Sequence, residues 1–299
     1  MELSWLMRLR IAAAAAAGVI LIGLLAWPMA APAEPYGIVS MAAMTLKSKA
    51  VLIALAFVTG LLAYFLSWPY GKEIGVIAVP SGLALWAVRS GSIAGVIQTN
   101  PALQYRQTLM AAIKWEPLFW LIVVAAGFLG VLLGHKLSSQ TSAASAGPKK
   151  TDSKINTYLS AAIALVGSVL ITQFCLPILA QDIRMPDSRL GSVVAQPCAS
   201  QIIFAVLVSY GLAGFVFKKF LDVSYIWPAI AGGFLMAFVY TIYVGQNILQ
   251  YLATHWPAVF FSNVILSILP IQIIAFGTLG SIAGYWLAVR YNYWKQHEM

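Results

Sequence analysis

The chain has 299 residues, of which 61% are hydrophobic and 9% charged, with a mean hydropathy of +0.85 and a formal net charge of +9. That composition excludes a soluble globular domain and reads as an integral membrane protein. With no folded soluble face on which basic residues could gather, no nucleic-acid partner is expected; the expected partners are the lipid bilayer and either other membrane subunits or the chain itself.

A bilayer core about 30 Å thick takes roughly 20 apolar residues per helix. Eight stretches reach or approach that length, at 9–29, 50–69, 74–96, 117–135, 157–180, 199–217, 225–245 and 263–289. Continuous runs of this kind are too long for the strands of a transmembrane barrel. The first stretch resembles a secretory signal, with Arg8 and Arg10 before it and Met29-Ala-Ala-Pro-Ala33 after it. A counterpart at 157–180, inside the chain, makes it a retained first helix.

The third stretch is the weakest, because it holds Pro80, several glycines and Arg89. Arg89 stands about seven residues from the helix end, which at 1.5 Å per residue is roughly 10 Å below the interface. It reads as a snorkelling or structurally bonded arginine, with a site for an anionic substrate as the functional alternative. Beyond it come Gln98, Asn100, Gln104 and Tyr105. Asn100-Pro101 has the form of a helix start, and Tyr105, Leu109 and Ala112 make an apolar stripe opposite Gln104, Arg106 and Gln107. The pattern predicts a short helix lying on the membrane surface. Gln246, Asn247, Gln250 and Tyr251 gather in the same way after the seventh stretch. These residues either anchor the chain at the headgroup level or form a pseudo-symmetric vestibule for an uncharged or anionic solute.

The fourth and eighth stretches carry Gly127-x-Leu-Gly130-x-x-x-Gly134 and Gly277-x-Leu-Gly280-x-x-x-Gly284. Small residues at these spacings line one helix face and permit close helix contact in lipid. The two helices are expected to pack closely, either on each other or each within its own half. Pro80, Pro177 and Pro270 are expected to kink their helices. Gln173 and Gln272 are expected to make interhelical hydrogen bonds.

The chain also repeats itself at an offset of about 150 residues. Ala12-Ala13, Gly18 and Pro28 align with Ala161-Ala162, Gly167 and Pro177; Gly60-Leu61 and Gly82 align with Gly211-Leu212 and Gly233; Leu103-Gln104-Tyr105 aligns with Leu249-Gln250-Tyr251. The fold class expected is all-α, with eight transmembrane helices as two parallel four-helix repeats about a pseudo-twofold axis along the membrane normal. An even number of helices per half is what makes the repeats parallel. The divisions are 1–136 for the first repeat, 137–156 for a flexible Ser/Ala/Gly-rich linker, and 157–299 for the second repeat. Of the Lys and Arg residues outside the helices, eleven fall on one side and six on the other. The positive-inside rule then puts both termini in the cytoplasm, and the expected location is a bacterial inner membrane.

Chemistry is sparse. His135, His255 and His297 show no metal-ligand spacing, so no metal and no cofactor is expected. Glu73, Glu116, Asp182, Asp187 and Asp222 all fall at helix ends or in loops, which argues against proton coupling. Cys175 and Cys198 approach the same membrane side; two free buried thiols are expected, with a disulfide closing the 181–197 loop as the alternative. The leading expectation is a permease or channel-like protein for a small solute. The main alternative is a structural or assembly subunit of a larger membrane complex. A lipid-acting enzyme would need Arg89, His255 and an acid to converge. Transport predicts a Gln- and Tyr-lined cavity between the halves, and a subunit predicts a closed, glycine-packed centre.

Overall fold

The computed structural model describes residues 4–34, 36–139, 154–256 and 259–297. Most of the expected linker, 140–153, lies outside the described residues. Helix dominates, and eight segments are long and apolar enough to cross a membrane: Trp5–Leu25, Leu46–Leu66, Gly71–Thr99, Leu103–Ser138, Tyr158–Leu179, Ala199–Leu221, Ile226–Tyr243 and Pro270–Gln296.

In the first half, α1 (Trp5–Gly18) starts on Ser4, whose hydroxyl accepts the Met7 N–H, and widens into a π-helical stretch over Val19–Leu25. Helix α2 (Leu46–Leu66) is capped by Thr45, which accepts the Ser48 N–H; such caps satisfy donors that the first turn leaves free. The third segment is broken into α3 (Gly71–Ile74), a 3₁₀ turn at Gly75–Ile77, α4 (Ala78–Arg89) and α5 (Ile93–Thr99). Helices α6 (Leu103–Ile113) and α7 (Glu116–Ser139) complete that half.

The second half holds α8 (Lys154–Leu179), an antiparallel hairpin of β1 (Arg184–Asp187) and β2 (Gly191–Val194), and α9 (Ala199–Leu221). It continues with α10 (Ile226–Tyr243), α11 (Gln246–His255) and α12 (Pro270–His297). The eighth segment starts later than 263. Asn263 and Gln272 turn their side-chain oxygens on the Ile265 and Leu269 N–H groups and hold the entry as a turn.

Pro270 is the first residue of α12, where the missing N–H has no intrahelical partner to lose. Pro80 follows closely on the 3₁₀ turn at Gly75–Ile77, as the third residue of α4. Only Pro177 lies inside its helix, α8, close to the end. Gln272 likewise makes a local cap rather than an interhelical bond, and the Gln173 side-chain oxygen is buried without a partner.

The glycine stripes bring backbones together within each half. A Cβ on Gly130 would fall 2.0 Å from the Phe57 carbonyl oxygen, and one on Gly284 would fall 1.9 Å from that of Gly211. Gly280 meets the Leu207 carbonyl, while Gly127, Gly134 and Gly277 receive the side chains of Val79, Tyr64 and Tyr210. So α7 packs on α2, and α12 packs on α9. The same α7 and α12 also touch each other, which realises both expected arrangements at once. Helix α12 is the central element: its apolar window is 72% buried, against 22% for Trp5–Leu25 at the margin. One apolar core runs through both halves, around Trp86, Trp120, Tyr210, Leu235 and Ile274.

Candidate functional site: a cleft and a buried carboxyl group at the hairpin end

Most of the residues expected to line a vestibule are exposed, and none of them lines the pocket described below. Arg89 is exposed, as the last residue of α4, with its guanidinium carbon 4.6 Å from the Trp27 ring centre. The helix stops there because Ser90 and Gly91 dock on a neighbouring segment. The Ser90 hydroxyl accepts the Val39 N–H at 2.9 Å, and the Gly91 N–H reaches the Gly37 carbonyl at 3.0 Å. A Cβ on Gly91 would fall 2.0 Å from the Tyr36 oxygen. Arg89 is therefore at a helix terminus and not several residues deep. Gln98, Gln104, Gln246, Asn247 and Gln250 are exposed, Tyr105 is at the edge of exposure, and Asn100 donates to its neighbour Thr99.

Tyr251 has a structural duty. Its hydroxyl donates to Asp187 Oδ2 at 3.0 Å, beside the Trp256 indole N–H at 2.9 Å. Asp187 Oδ1 accepts the backbone N–H groups of Arg189 and Leu190. The Arg189 guanidinium lies 5.0 Å from the Tyr251 ring centre, and His255 stacks on the same ring. The Asp187 carboxylate thus pins the hairpin to α11, and a two-way backbone pairing of Val194 with Phe261 extends the contact. Desolvation raises the Asp187 pKa, but donation by Leu190, Trp256, Arg189 and Tyr251 outweighs it and leaves the group below its ordinary 3.8. A carboxyl group depressed on folding contributes stability above its unfolded pKa and loses it as pH falls through the folded value. We expect hairpin amide exchange at Ser192–Val194 to be independent of pH from neutral down to about 4 once intrinsic exchange is corrected for. It should accelerate only below 3.8, in step with a change in Trp256 emission; an onset near pH 6 would implicate another group.

The two cysteines are both free. Cys198 is exposed at the start of α9, and its sulfur pairs with the Ser200 hydroxyl rather than Cys175. Donation by the Ser200 hydroxyl and by the Gln201 N–H keeps its thiol below the usual value. No disulfide joins them, and the β1–β2 hairpin spans the 181–197 loop.

A narrow pocket of about 20 Å³ lies between the halves at the hairpin end. From the first half, Ile97 of α5 and Arg106 and Met110 of α6 line it. From the second come Tyr243 and Val244 at the end of α10, Leu249 and Leu252 of α11, and the 259–262 strip with Leu266. Arg106, expected on the polar outer face of α6, is only 8% exposed. The helix is rotated so that Arg106, Met110 and Ile113, spaced by four and three, form its buried face. The Arg106 Nε has no acceptor, and the guanidinium has no acidic partner among the described residues.

Three residues beyond α6 stands a carboxyl group that the sequence places at a helix end. Glu116 opens α7 and is 0% exposed. The Ser40 hydroxyl and the Met41 N–H, the latter at 3.0 Å, donate to its Oε1. Its Oε2 has no partner. The Trp120 indole N–H, one turn along α7, approaches the carboxyl group without reaching hydrogen-bond geometry. Tyr240 of α10 brings an unpartnered phenol within electrostatic reach of Glu116, and Lys49 of α2 acts on it from a distance. Tyr240 and Tyr243 stand one turn apart on α10, so that helix faces both the carboxyl group and the cleft. Glu116 thus extends the buried face of α6 past the joint. The available signal was the run Met110, Ile113, Pro117 and Trp120 at helical spacing.

No protein-family model, curated protein or solved structure matches this chain.

Proposed function

We propose that the chain is a permease-like integral membrane protein for a small solute, built of two parallel four-helix repeats. Similar contacts in the two halves support the repeat. Helix α1 packs on α4 as α8 does on α10, and α2 packs on α7 as α9 does on α12. Helices α6 and α11, which carry the repeated Leu-Gln-Tyr, meet each other across the seam. Both termini are read as cytoplasmic in a bacterial inner membrane, with the hairpin end outward, from the Lys and Arg bias.

The observation that carries this reading is the pocket at the seam, whose one charged lining residue, Arg106, is mostly buried and has no ion-pair partner among the described residues. A charge held in apolar surroundings without a partner costs free energy that folding must offset elsewhere. In folds made of parallel repeats, the solute site lies between the repeats. A second reading, a subunit of a larger membrane complex, is favoured by the closed glycine-packed contacts at the centre. Gentle extraction from the native membrane, followed by sizing and mass spectrometry, separates the two. Migration alone or as a homo-oligomer is the expected result. Recovery in fixed ratio with other membrane chains would overturn the permease reading.

A further inference from the structure

We infer that Glu116 is a proton-binding site, loaded when the turn at Ser40–Met41 is closed on it and emptied when that turn lifts. The site stands on its own geometry; that the proton is the coupling ion of a permease rests on the reading above. Among the described residues Glu116 is the one buried carboxyl group. Glu34, Glu73, Asp182 and Asp222 are exposed, and Asp187 is half-buried. A place at a helix end argued against proton coupling, and full burial at the start of α7 removes that argument. No lysine or arginine among the described residues forms an ion pair with it. An ionised carboxylate there would be an uncompensated buried charge, and groups so placed neutralise instead.

The hydrogen-bond pattern says which oxygen holds the proton. The Ser40 hydroxyl accepts the Ala42 N–H at 3.1 Å and donates its own hydrogen to Glu116 Oε1. The Met41 N–H donates to the same oxygen at 3.0 Å. Oε1 therefore acts as the carbonyl, and Oε2, buried with no donor, carries the hydrogen. Two unpartnered donors are near enough to act on the carboxyl group: the Trp120 indole on α7 and the Tyr240 phenol on α10. Tyr240 belongs to the other half, so the site lies where the halves meet, and acids in such places serve as proton relays. Lys49 of α2 acts on Glu116 from a distance, while Arg106 of α6, Arg89 of α4 and Lys114 make no ion pair with it. The turn that holds Oε1 faces solvent: Met41 is half-buried, and Ala42 and Ala43 are exposed. On release the O–H bond at Oε2 breaks, its electron pair stays on the carboxylate, and the proton passes to water admitted under the turn.

The test uses the full chain in nanodiscs of phosphatidylcholine, from about pH 6 to about pH 9. Infrared absorption reads the carbonyl stretch of a protonated carboxyl group, and trypsin cleavage at Lys47 reads the turn. At neutral pH the parent is expected to show the band and Glu116→Gln to lack it. Glutamine is an uncharged isostere, so cleavage of the variant should follow only the pH dependence of trypsin itself. In the parent, cleavage relative to the variant should rise by up to about tenfold per pH unit as the band fades, because the ionised fraction grows by that factor. A band missing from the parent at neutral pH, a band of equal strength in Glu116→Gln, or a parent whose cleavage follows the variant at every pH would each overturn the inference. If Glu116→Gln fails to fold, heavy-carbon labelling of the glutamate carboxyl groups in the parent decides. Glu34 and Glu73 are exposed, so a band that moves with the label is that of Glu116, and one that does not move overturns the assignment. Fixed-ratio partners in the extraction experiment, together with an intact Glu116 band, would remove the permease reading and leave the proton site.

Discussion

Gly284→Ala is expected to lower the stability of the solubilised protein by about 3 kcal/mol, whereas Gly211→Ala, in the same interface, is expected to be neutral or slightly stabilising. The difference lies in what each new methyl group would meet. On Gly284 it would sit 1.9 Å from the Gly211 carbonyl oxygen and 2.9 Å from the Phe215 nitrogen, both of them backbone atoms that no side-chain rotation can move away. On Gly211 it would rest 3.5 Å from the Gly280 oxygen, an ordinary contact. To accept alanine at 284, α12 must move off α9. That separation also disturbs α4 and α10, because both lie on α12. In lipid, helices associate through van der Waals contact, so the loss of close approach is not made up by the hydrophobic effect. Thermal unfolding of the two variants side by side checks this. Equal midpoints would show that the backbone contact at Gly284 does not hold the second half together.

Glu116→Ala is expected to cost about 3 kcal/mol, and Glu116→Gln about 1 kcal/mol. The carboxyl group is the acceptor that joins the turn at Ser40–Met41 to the start of α7. Alanine strands a buried hydroxyl and a backbone N–H and leaves a void beside Trp120. Glutamine keeps a carbonyl oxygen for the Met41 N–H and can donate its amide toward Ser40 or the Tyr240 phenol. Trypsin cleavage at Lys47, on the exposed start of α2, reports the turn directly. It should accelerate in Glu116→Ala and stay near the parent rate in Glu116→Gln. A Glu116→Ala protein with an unchanged midpoint and an unchanged cleavage rate would show that the tie is dispensable.

Much of the architecture was legible locally. Hydropathy located the eight segments because each one must cover its own backbone polar groups and present apolar side chains whatever its neighbours are. The Gly-x-Leu-Gly-x-x-x-Gly runs announced close contact because i, i+3 and i+4 lie on one helix face. They did not say which helix would be met. That depends on Phe57, Leu207 and Gly211, residues that carry no mark in the sequence beyond being small or apolar. The third segment was read as a single weak helix. Its division at Ser90-Gly91 follows from a docking partner more than fifty residues away, at Gly37 and Val39.

The candidate site shows the same division more sharply. A helical chain with eight apolar segments, glycine-lined contact faces and few ionisable groups near them is legible in the residues alone. The folded arrangement set Arg89 in the open, buried Arg106 and Glu116, and left most of the amide side chains exposed. The physical reason is that apolar patterning is a property of one segment. Burial of a polar group depends on which way a short helix such as α6 is rotated and on what stands opposite, Tyr243 and α11 in one case and Ser40 and Tyr240 in the other. A charge at a helix end reads as interfacial until a second half folds over it.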